Sequence, residues 1–190
     1  MKERPIVLSA PMVRAILAGT KTQARRVVRW PVLGPSDGRK RRVYGPGDVA
    51  EISAAKGLCP HGSPGDMLWV RETWRIDDYD DANTIYAADH PEAFAETRGI
   101  IRWRPSIHMP RERARLSLRV TSVRVERLHA ITDEDARAEG VLTLEPRTGA
   151  TTARERFADM WSEINGRASW DASPWVWVVS FECVSGGGER

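Results

Sequence analysis

The segment Ile16-Leu17-Ala18-Gly19-Thr20-Lys21-Thr22-Gln23-Ala24-Arg25-Arg26 decides how the rest of the chain is interpreted. It begins as the apolar end of a helix, stops at a glycine, and continues with lysine, threonine and arginine but no acid. Lys21 is unusual, because the chain has only four lysines among its 29 basic residues. Arginine is a permanent cation that suits phosphate, whereas a desolvated lysine can lose its proton and act in chemistry. The segment predicts either a functional site around Lys21 or a basic turn exposed to solvent.

Hydrophobic patterns on both sides of this segment predict an α+β fold in which strands outnumber helices. Strands are expected at residues 6–8, 67–74, 84–88, 100–103, 114–128 and 174–184, a hairpin at 43–52, and helices after Pro11, Thr132 and Thr152. The alternation changes phase within residues 114–128, which predicts a β-bulge. Leu68, Val70 and Glu72 share one strand face, so a buried Glu72 must be paired or functional. A small, twisted β-barrel with short helices plugging its ends fits these patterns.

Length and composition limit the classes of protein that the chain can belong to. A chain of 190 residues predicts one domain over residues 1–184, with a long loop insertion at about 31–64 and a disordered glycine-rich tail at 185–190. No apolar run approaches the roughly 20 residues of a membrane span. The first residues lack a signal peptide, and two cysteines cannot form a disulfide framework. We therefore expect a cytoplasmic protein with free thiols and no membrane association.

Basic residues are clustered along the chain although the net charge is only +3. The clusters are Arg25, Arg26 and Arg29, then residues 39–42, then the arginines between residues 98 and 115. Arginines also lie near Trp30, Trp74 and Trp103, which combines phosphate pairing with rings on which bases can stack. This pattern predicts a nucleotide or a single-stranded nucleic acid, RNA in particular, as the partner.

Metal and cofactor chemistry have little support in the sequence. The four histidines are scattered, and Cys59 and His61 form the only close Cys/His pair, whereas a structural zinc needs four ligands. No Gly-x-Ser-x-Gly turn and no phosphate-binding glycine loop is present. We therefore expect neither a metal nor another cofactor.

Lys21, Thr22 and Glu139 are the candidate catalytic residues. A lysine beside a carboxylate in a pocket could activate a threonine hydroxyl or a water. Glu139 ends a short helix, where it would serve as a general acid or base, or lie exposed as an ordinary helix-end residue. The candidate ligand-binding residues are Arg25, Arg26, Arg71, Glu72, Trp74, Trp103, Ser106, His108 and Trp175. A place in the core is an equal alternative for the three tryptophans, and a structural role in the rigid connector is the favoured alternative for His108.

Residues 16–26 resemble the signature of the ASCH domain, a member of the PUA-like superfamily of small β-barrels linked to RNA and modified nucleobases. In that family a helix ending Ile-Leu-x-Gly is followed by x-Lys-Thr-x-Thr-x-Arg. The matching residues here are Ile16, Leu17, Gly19, Lys21, Thr22 and Arg26. Residues 9–13, 59–62, 65–72, 105–110 and 170–177 are also similar to longer phage and prophage ASCH proteins. The resemblance covers nearly all of residues 5–184.

The resemblance implies a choice between binding and catalysis. Some small ASCH proteins are amidohydrolases that remove the acetyl group from N4-acetylcytidine with a lysine, a threonine and a glutamate. Lys21 and Glu139 correspond to two of these residues, but the threonine position is Ala24, which has no hydroxyl to attack. We therefore expect an ASCH-type module that binds a nucleotide or single-stranded RNA and can recognise a modified base. The alternatives are an amidohydrolase acting on N4-acylcytidine and, third, a ribonuclease.

Overall fold

The described part of the chain is a mixed α and β structure built on one five-stranded sheet. The structure is a computed structural model that describes residues 1–34, 42–54, 57–97, 99–141 and 152–185. In chain order the elements are β1 (Glu3–Val7), α1 (Ala10–Leu17), β2 (Gln23–Val27), β3 (Val32–Leu33), β4 (Val43–Tyr44), α2 (Val49–Ala54), β5 (Met67–Arg71), β6 (Trp74–Ile76), β7 (Thr84–Tyr86), α3 (Pro91–Thr97), β8 (Ser117–Arg127), α4 (Asp133–Ala138), α5 (Ala153–Asn165), α6 (Arg167–Asp171) and β9 (Trp175–Ser185). None of the helices in these ranges is both long and apolar enough to span a bilayer.

The five strands of the main sheet run in the order β1-β5-β8-β9-β2. β1 and β5 are parallel and the other neighbours are antiparallel. Among the described residues no backbone ladder joins the edge strands β1 and β2, so the predicted closed barrel is not confirmed. The two edges are instead bridged by a side chain, because Arg26 Nη2 in β2 donates to the carbonyl of Val7 in β1 at 2.9 Å.

Strand β9 separates two hydrophobic cores. Trp177, Val179 and Phe181 pack with residues of β1, β5 and β8 on one face of the sheet. Val176 and Val178 point to the other face, where they pack against α4 and α5. A strand that is buried on both faces has an almost continuous apolar sequence, as residues 175–181 do.

The ends of α1 and α4 lie together and position the start of β2. Gly19, at a φ of +72°, ends α1, and the backbone N–H groups of Thr20 and Lys21 both donate to the carbonyl of Ala15. Thr132 begins α4 with a capping box, and Gly140, at a φ of +84°, follows its last turn. Lys21 and Glu139 are consequently paired in an isolated antiparallel β-bridge.

The structure confirms several of the expected elements and corrects others. Strands β5 and β7 and helices α1, α4 and α5 lie where the patterns predict them, and the register shift between Val120 and Ser122 confirms the bulge in β8. The strand predicted at residues 100–103 is wrong: no strand of the described structure includes these residues, and an isolated bridge joins the next residue, Arg104, to Trp74. Strand β4 pairs with β3 and is followed by a helix, so the hairpin expected at 43–52 begins earlier and ends earlier. Residues 35–41 of the expected loop and 186–190 of the expected tail lie outside the described residues.

We expect Gly140→Ala to destabilise the protein much more than Gly19→Ala. Both positions have a positive φ, but a Cβ on Gly140 would lie 2.8 Å from Ala15 Cβ and 3.0 Å from Lys21 Cβ, whereas Gly19 has no atom within 4 Å. Strain of about 1–2 kcal/mol applies to both variants, and overpacking adds about 1–3 kcal/mol to the first. Urea denaturation measures the difference, and equal losses in the two variants would contradict the close packing described.

Candidate functional site

The centre of the site is a buried ion pair between Lys21 and Glu139. The ammonium Nζ lies 2.9 Å from Glu139 Oε2, and it also donates to the backbone carbonyls of Gln23 and Glu139 at 2.8 Å each. Lys21 and Glu139 are 3% and 4% exposed. Burial lowers the pKa of Lys21, and the neighbouring Glu139 acts in the opposite direction. An ammonium has three N–H donors, so all of them are used within the protein.

Arg25 holds the second carboxylate oxygen of Glu139. Its Nη1 donates to Glu139 Oε1 at 3.0 Å and to the side chain of Gln23 at 2.7 Å. Its Nη2 lies 2.6 Å from Glu126 and 3.1 Å from Asp135. The side chain of Arg25 has no exposed surface, so its guanidinium is committed to carboxylates of the protein rather than to an external phosphate.

Arg124 completes the network from the solvent side. It donates to Glu126 at 2.9 Å and to Asp135 at 3.0 Å, and these are the same carboxyl groups that contact Arg25. Desolvation tends to raise the pKa of Asp135, but Arg25, the N–H of Thr132 and Arg124 together hold that pKa below its ordinary value. The network contains three cations (Lys21, Arg25, Arg124) and three anions (Glu126, Asp135, Glu139), so its formal charges cancel.

The pleat of β2 places its side chains on two different sides of the sheet. Gln23 and Arg25 lie on the side of the Glu139 network, whereas Ala24 is buried in the core that contains Trp177. A hydroxyl at position 24 would therefore lie on the face opposite Glu139. The candidate Thr22 is exposed, and its backbone N–H donates to the carbonyl of Ala138 at 2.8 Å.

Two adjoining cavities lie beside Glu139. A recess of about 100 Å³ is lined by Glu139 and Arg25 together with side chains of α1 and α5. A larger cavity of about 710 Å³ is lined by Trp177, by His61 and by β3 with the Pro31 that precedes it. Arg26, Val27 and Asn165 line both. Glu139 thus lines the small recess and not the large cavity, whereas Lys21 lines neither.

Arg26 differs from Arg25 because it has no carboxylate partner among the described residues. Its Nη1 donates to the carbonyl of Arg25 at 3.2 Å and its Nη2 to the carbonyl of Val7. Burial lowers the pKa of Arg26, and Glu139 opposes this shift from a distance. An arginine remains charged in proteins, so Arg26 is a largely desolvated cation facing open space.

His61 and Cys59 contribute a neutral group and an unreactive thiol to this region. Burial, reinforced by the positive charges of Arg26 and Arg4, lowers the pKa of His61 to about 4. Burial raises the pKa of the Cys59 thiol to about 11, so the thiol is protonated and a poor nucleophile at neutral pH. Within the described ranges no group of three or more His, Cys, Asp or Glu side chains could hold a metal ion.

Three of the other predicted ligand-binding residues lie at the end of β5 and the start of β6, away from both cavities. Arg71 donates to the carbonyl of Met109, and its guanidinium lies over the ring of Trp69. Glu72 is 1% exposed and forms two hydrogen bonds with Arg115. Trp74 is 2% exposed and lies between the guanidinium groups of Arg104 and Arg113.

The remaining predicted ligand-binding residues also lie outside the two cavities. Trp103 lines a separate cavity of about 530 Å³, and its indole N–H donates to Thr97. Ser106 and His108 belong to one short 3₁₀ turn, in which His108 is exposed. Trp175 is covered by the guanidinium of Arg127, 4.4 Å from its ring centre. The structure thus brings together Lys21, Glu139, Arg25 and Arg26, and it does not bring the other candidates to them.

The sequence did not identify several residues that shape this site. Glu126 and Arg124 alternate on β8, a spacing that places both side chains on one face and could have indicated a charged patch. Asp135 was visible only as a helix-capping acid. The walls of the cavities come mainly from β2, β3, α5 and the loop of His61, and no local pattern indicates that these segments meet.

Comparison with known proteins does not assign the chain to a family. No family model matches it, and no similar protein is found among the curated ones. The crystal structure of a DUF984 protein from Enterococcus faecalis V583 is similar over 100% of this chain and 85% of its own, at 12% identity and a TM-score of 0.44. A likeness of this size supports no argument about fold family, ligand or activity.

We expect Lys21→Met to destabilise the protein by about 3–5 kcal/mol, because removing one partner of a buried pair leaves the other charge without compensation. Arg119→Met is the matched control, since Arg119 forms an ion pair with Glu182 in which both side chains are about half exposed. The control should leave the urea midpoint nearly unchanged. Similar midpoints for Lys21→Met and the wild type would contradict a structural role for the ammonium.

Stability should also fall as the pH decreases from 6.5 to 4. His61 has a folded pKa of about 4 against an ordinary value of 6.5, so between these values the unfolded chain binds more protons. Unfolding is therefore favoured as the pH falls through this window, by at most about 3 kcal/mol. Thermal melts of the wild type and His61→Gln measure this loss. A wild-type dependence that persists unchanged in the variant would contradict the assignment to His61.

Proposed function

We propose that the protein is an ASCH-type module that binds a nucleotide or single-stranded nucleic acid, RNA in particular, in the cytoplasm. The observation that carries the proposal is the half-buried guanidinium of Arg26, which lines the 710 Å³ cavity and whose hydrogen-bond partners among the described residues are backbone carbonyls. Desolvated arginine without an acid partner favours a ligand with a phosphate group. Arg29 lines the same cavity and is exposed, so it offers a second cation at the entrance.

The walls of the large cavity suit the remainder of a nucleotide. Trp177, Leu58 and Val32 supply apolar surface against which a base or ribose can pack. The carboxylate of Glu139 lines the adjoining recess, where it could accept a hydrogen bond from an amino or imino group of a base. Because Lys21 and Arg25 hold this carboxylate from behind, its orientation is fixed before the ligand arrives.

Amidohydrolase activity on N4-acylcytidine is the second candidate, and the place of Glu139 at the recess is what favours it. The same geometry limits the mechanism. Lys21 has no free donor for an oxyanion, and position 24 faces the opposite side of the sheet. Hydrolysis would have to use a water activated by Glu139, with Arg26 stabilising the developing negative charge. A ribonuclease has less support, since His61 is the single histidine at the large cavity.

We expect a fluorescein-labelled single-stranded RNA of twelve nucleotides to bind with an affinity that falls as salt rises. Two phosphates neutralised by Arg26 and Arg29 predict a log–log slope of about −1.4. Arg29→Gln removes one charge-assisted contact and should weaken binding about tenfold at 50 mM salt, with a slope that is smaller by about 0.7. Fluorescence anisotropy titrations at several salt concentrations provide the measurement.

The matched control for this titration is Arg119→Gln, which changes the net charge equally at a half-exposed residue that does not line the cavity. It should retain the affinity and the slope of the wild type. Absence of binding to RNA, DNA and mononucleotides at low salt would overturn the proposal. Release of cytidine from N4-acetylcytidine, lost in Glu139→Gln, would favour the amidohydrolase instead, and shortened RNA on a gel would favour the ribonuclease.

A further inference from the structure

The large cavity contains three basic side chains and no acidic one among the described residues that line it. Arg26, Arg29 and His61 come from β2, the segment after β2 and the loop before β5. Neither arginine forms an ion pair with a described residue, in contrast to Arg25 and Arg124 of the Glu139 network. The electrostatic potential inside the cavity is therefore positive, which favours an anionic ligand.

Arg4 adds a third positive charge, next to Arg26 and Arg29, behind the neutral His61. Its Nη1 donates to the carbonyl of Pro60 at 3.2 Å, and its Nε is buried without a hydrogen-bond partner among the described residues. Arg4 and Arg26 both disfavour protonation of the imidazole, so His61 is neutral at pH 7 when the cavity is empty. A bound anion would reverse this balance, because an opposite charge nearby stabilises the imidazolium.

None of the other described titratable groups near His61 supplies a negative charge that favours protonation of its imidazole. The Cys59 thiol is protonated at neutral pH, as described above. The carboxylate of Asp66 accepts hydrogen bonds from the backbone N–H groups of Lys2 and Ser63, which hold it in its own turn. Arg29 contributes only further positive charge. Protonation of His61 therefore depends on what occupies the cavity.

The positive charges around the cavity favour the more negatively charged of two kinds of phosphate. An internal phosphodiester carries one negative charge, whereas a terminal phosphomonoester carries about −1.5 to −2 at pH 7 and presents three acceptor oxygens. We propose that the cavity is a site for a nucleotide with a terminal phosphomonoester, and that His61 takes up a proton when this ligand binds. The inference rests on the proposed function and specifies its ligand. A volume of about 710 Å³ lies within the range of small-molecule sites.

The test compares cytidine 5′-monophosphate with its methyl ester, with cytidine and with inorganic phosphate by isothermal titration calorimetry at pH 6.5. We expect the monophosphate to bind at least about tenfold more tightly than the methyl ester, as one additional charge-assisted hydrogen bond implies. Titrations in buffers of different ionisation enthalpy should show proton uptake. His61→Gln should abolish the uptake and reduce the preference for the monoester, while Arg119→Gln should change neither.

An NMR titration of the wild-type protein provides a readout that needs no variant. The His61 midpoint should lie near 4 in the free protein and rise by about 2–3 pH units with the monophosphate bound, enough for measurable proton uptake at pH 6.5. Equal affinity for the monophosphate and its methyl ester, or binding without proton uptake, would overturn this inference while leaving the proposed function intact. Equally tight binding of inorganic phosphate would overturn the nucleotide assignment. Failure of every nucleotide and oligonucleotide to bind would overturn both.

Discussion

The architecture of the site depends on one requirement: the ammonium of Lys21 is buried, so every one of its N–H groups must meet an acceptor. Two backbone carbonyls and Glu139 satisfy it, and they come from β2 and from the end of α4. A buried charge without such partners would be strongly destabilising. The close approach of the two segments further requires Gly140, because a side chain there would collide with Lys21 and Ala15. The ammonium of Lys21 thus holds the end of α4, the start of β2 and the carboxylate of Glu139 together.

The charges around β2 give its two arginines different surroundings: Arg25 belongs to the ion-pair network, and Arg26 lines the large cavity. On one side of the strand, Arg25 is enclosed by three carboxylates and is electrostatically satisfied. The next residue, Arg26, belongs to the other side of the pleat, and its hydrogen-bond partners among the described residues are carbonyl oxygens. Adjacent residues of the same type therefore have different roles because the pleat sends them into different surroundings. Glu139 contacts the first arginine and shares a recess with the second, which connects the rigid network to the cavity.

The sequence was sufficient to predict elements with strong local signals. Thr132 and Gly140 delimit α4, and the phase change in residues 114–128 indicated the bulge of β8. The sequence did not decide whether Trp74 lines a ligand site or lies in the core, because the burial of its ring depends on Arg104 and Arg113, which come from distant segments. The same reason explains the misassigned strand at residues 100–103, because a local apolar pattern does not show whether a distant segment pairs with it. Local signals within one element could be predicted from the sequence, whereas contacts between strands across the sheet could not.

The hydrogen bond from Arg26 to the carbonyl of Val7 relates ligand binding in the cavity to the rigidity of the sheet. A guanidinium has five N–H groups, and two of them are committed to backbone oxygens, which leaves three directed elsewhere. A guest molecule that engages these remaining donors would immobilise the side chain that spans the seam of the sheet. The edge strands β1 and β2 would then become more rigid when a ligand fills the cavity, although no new contact forms between them.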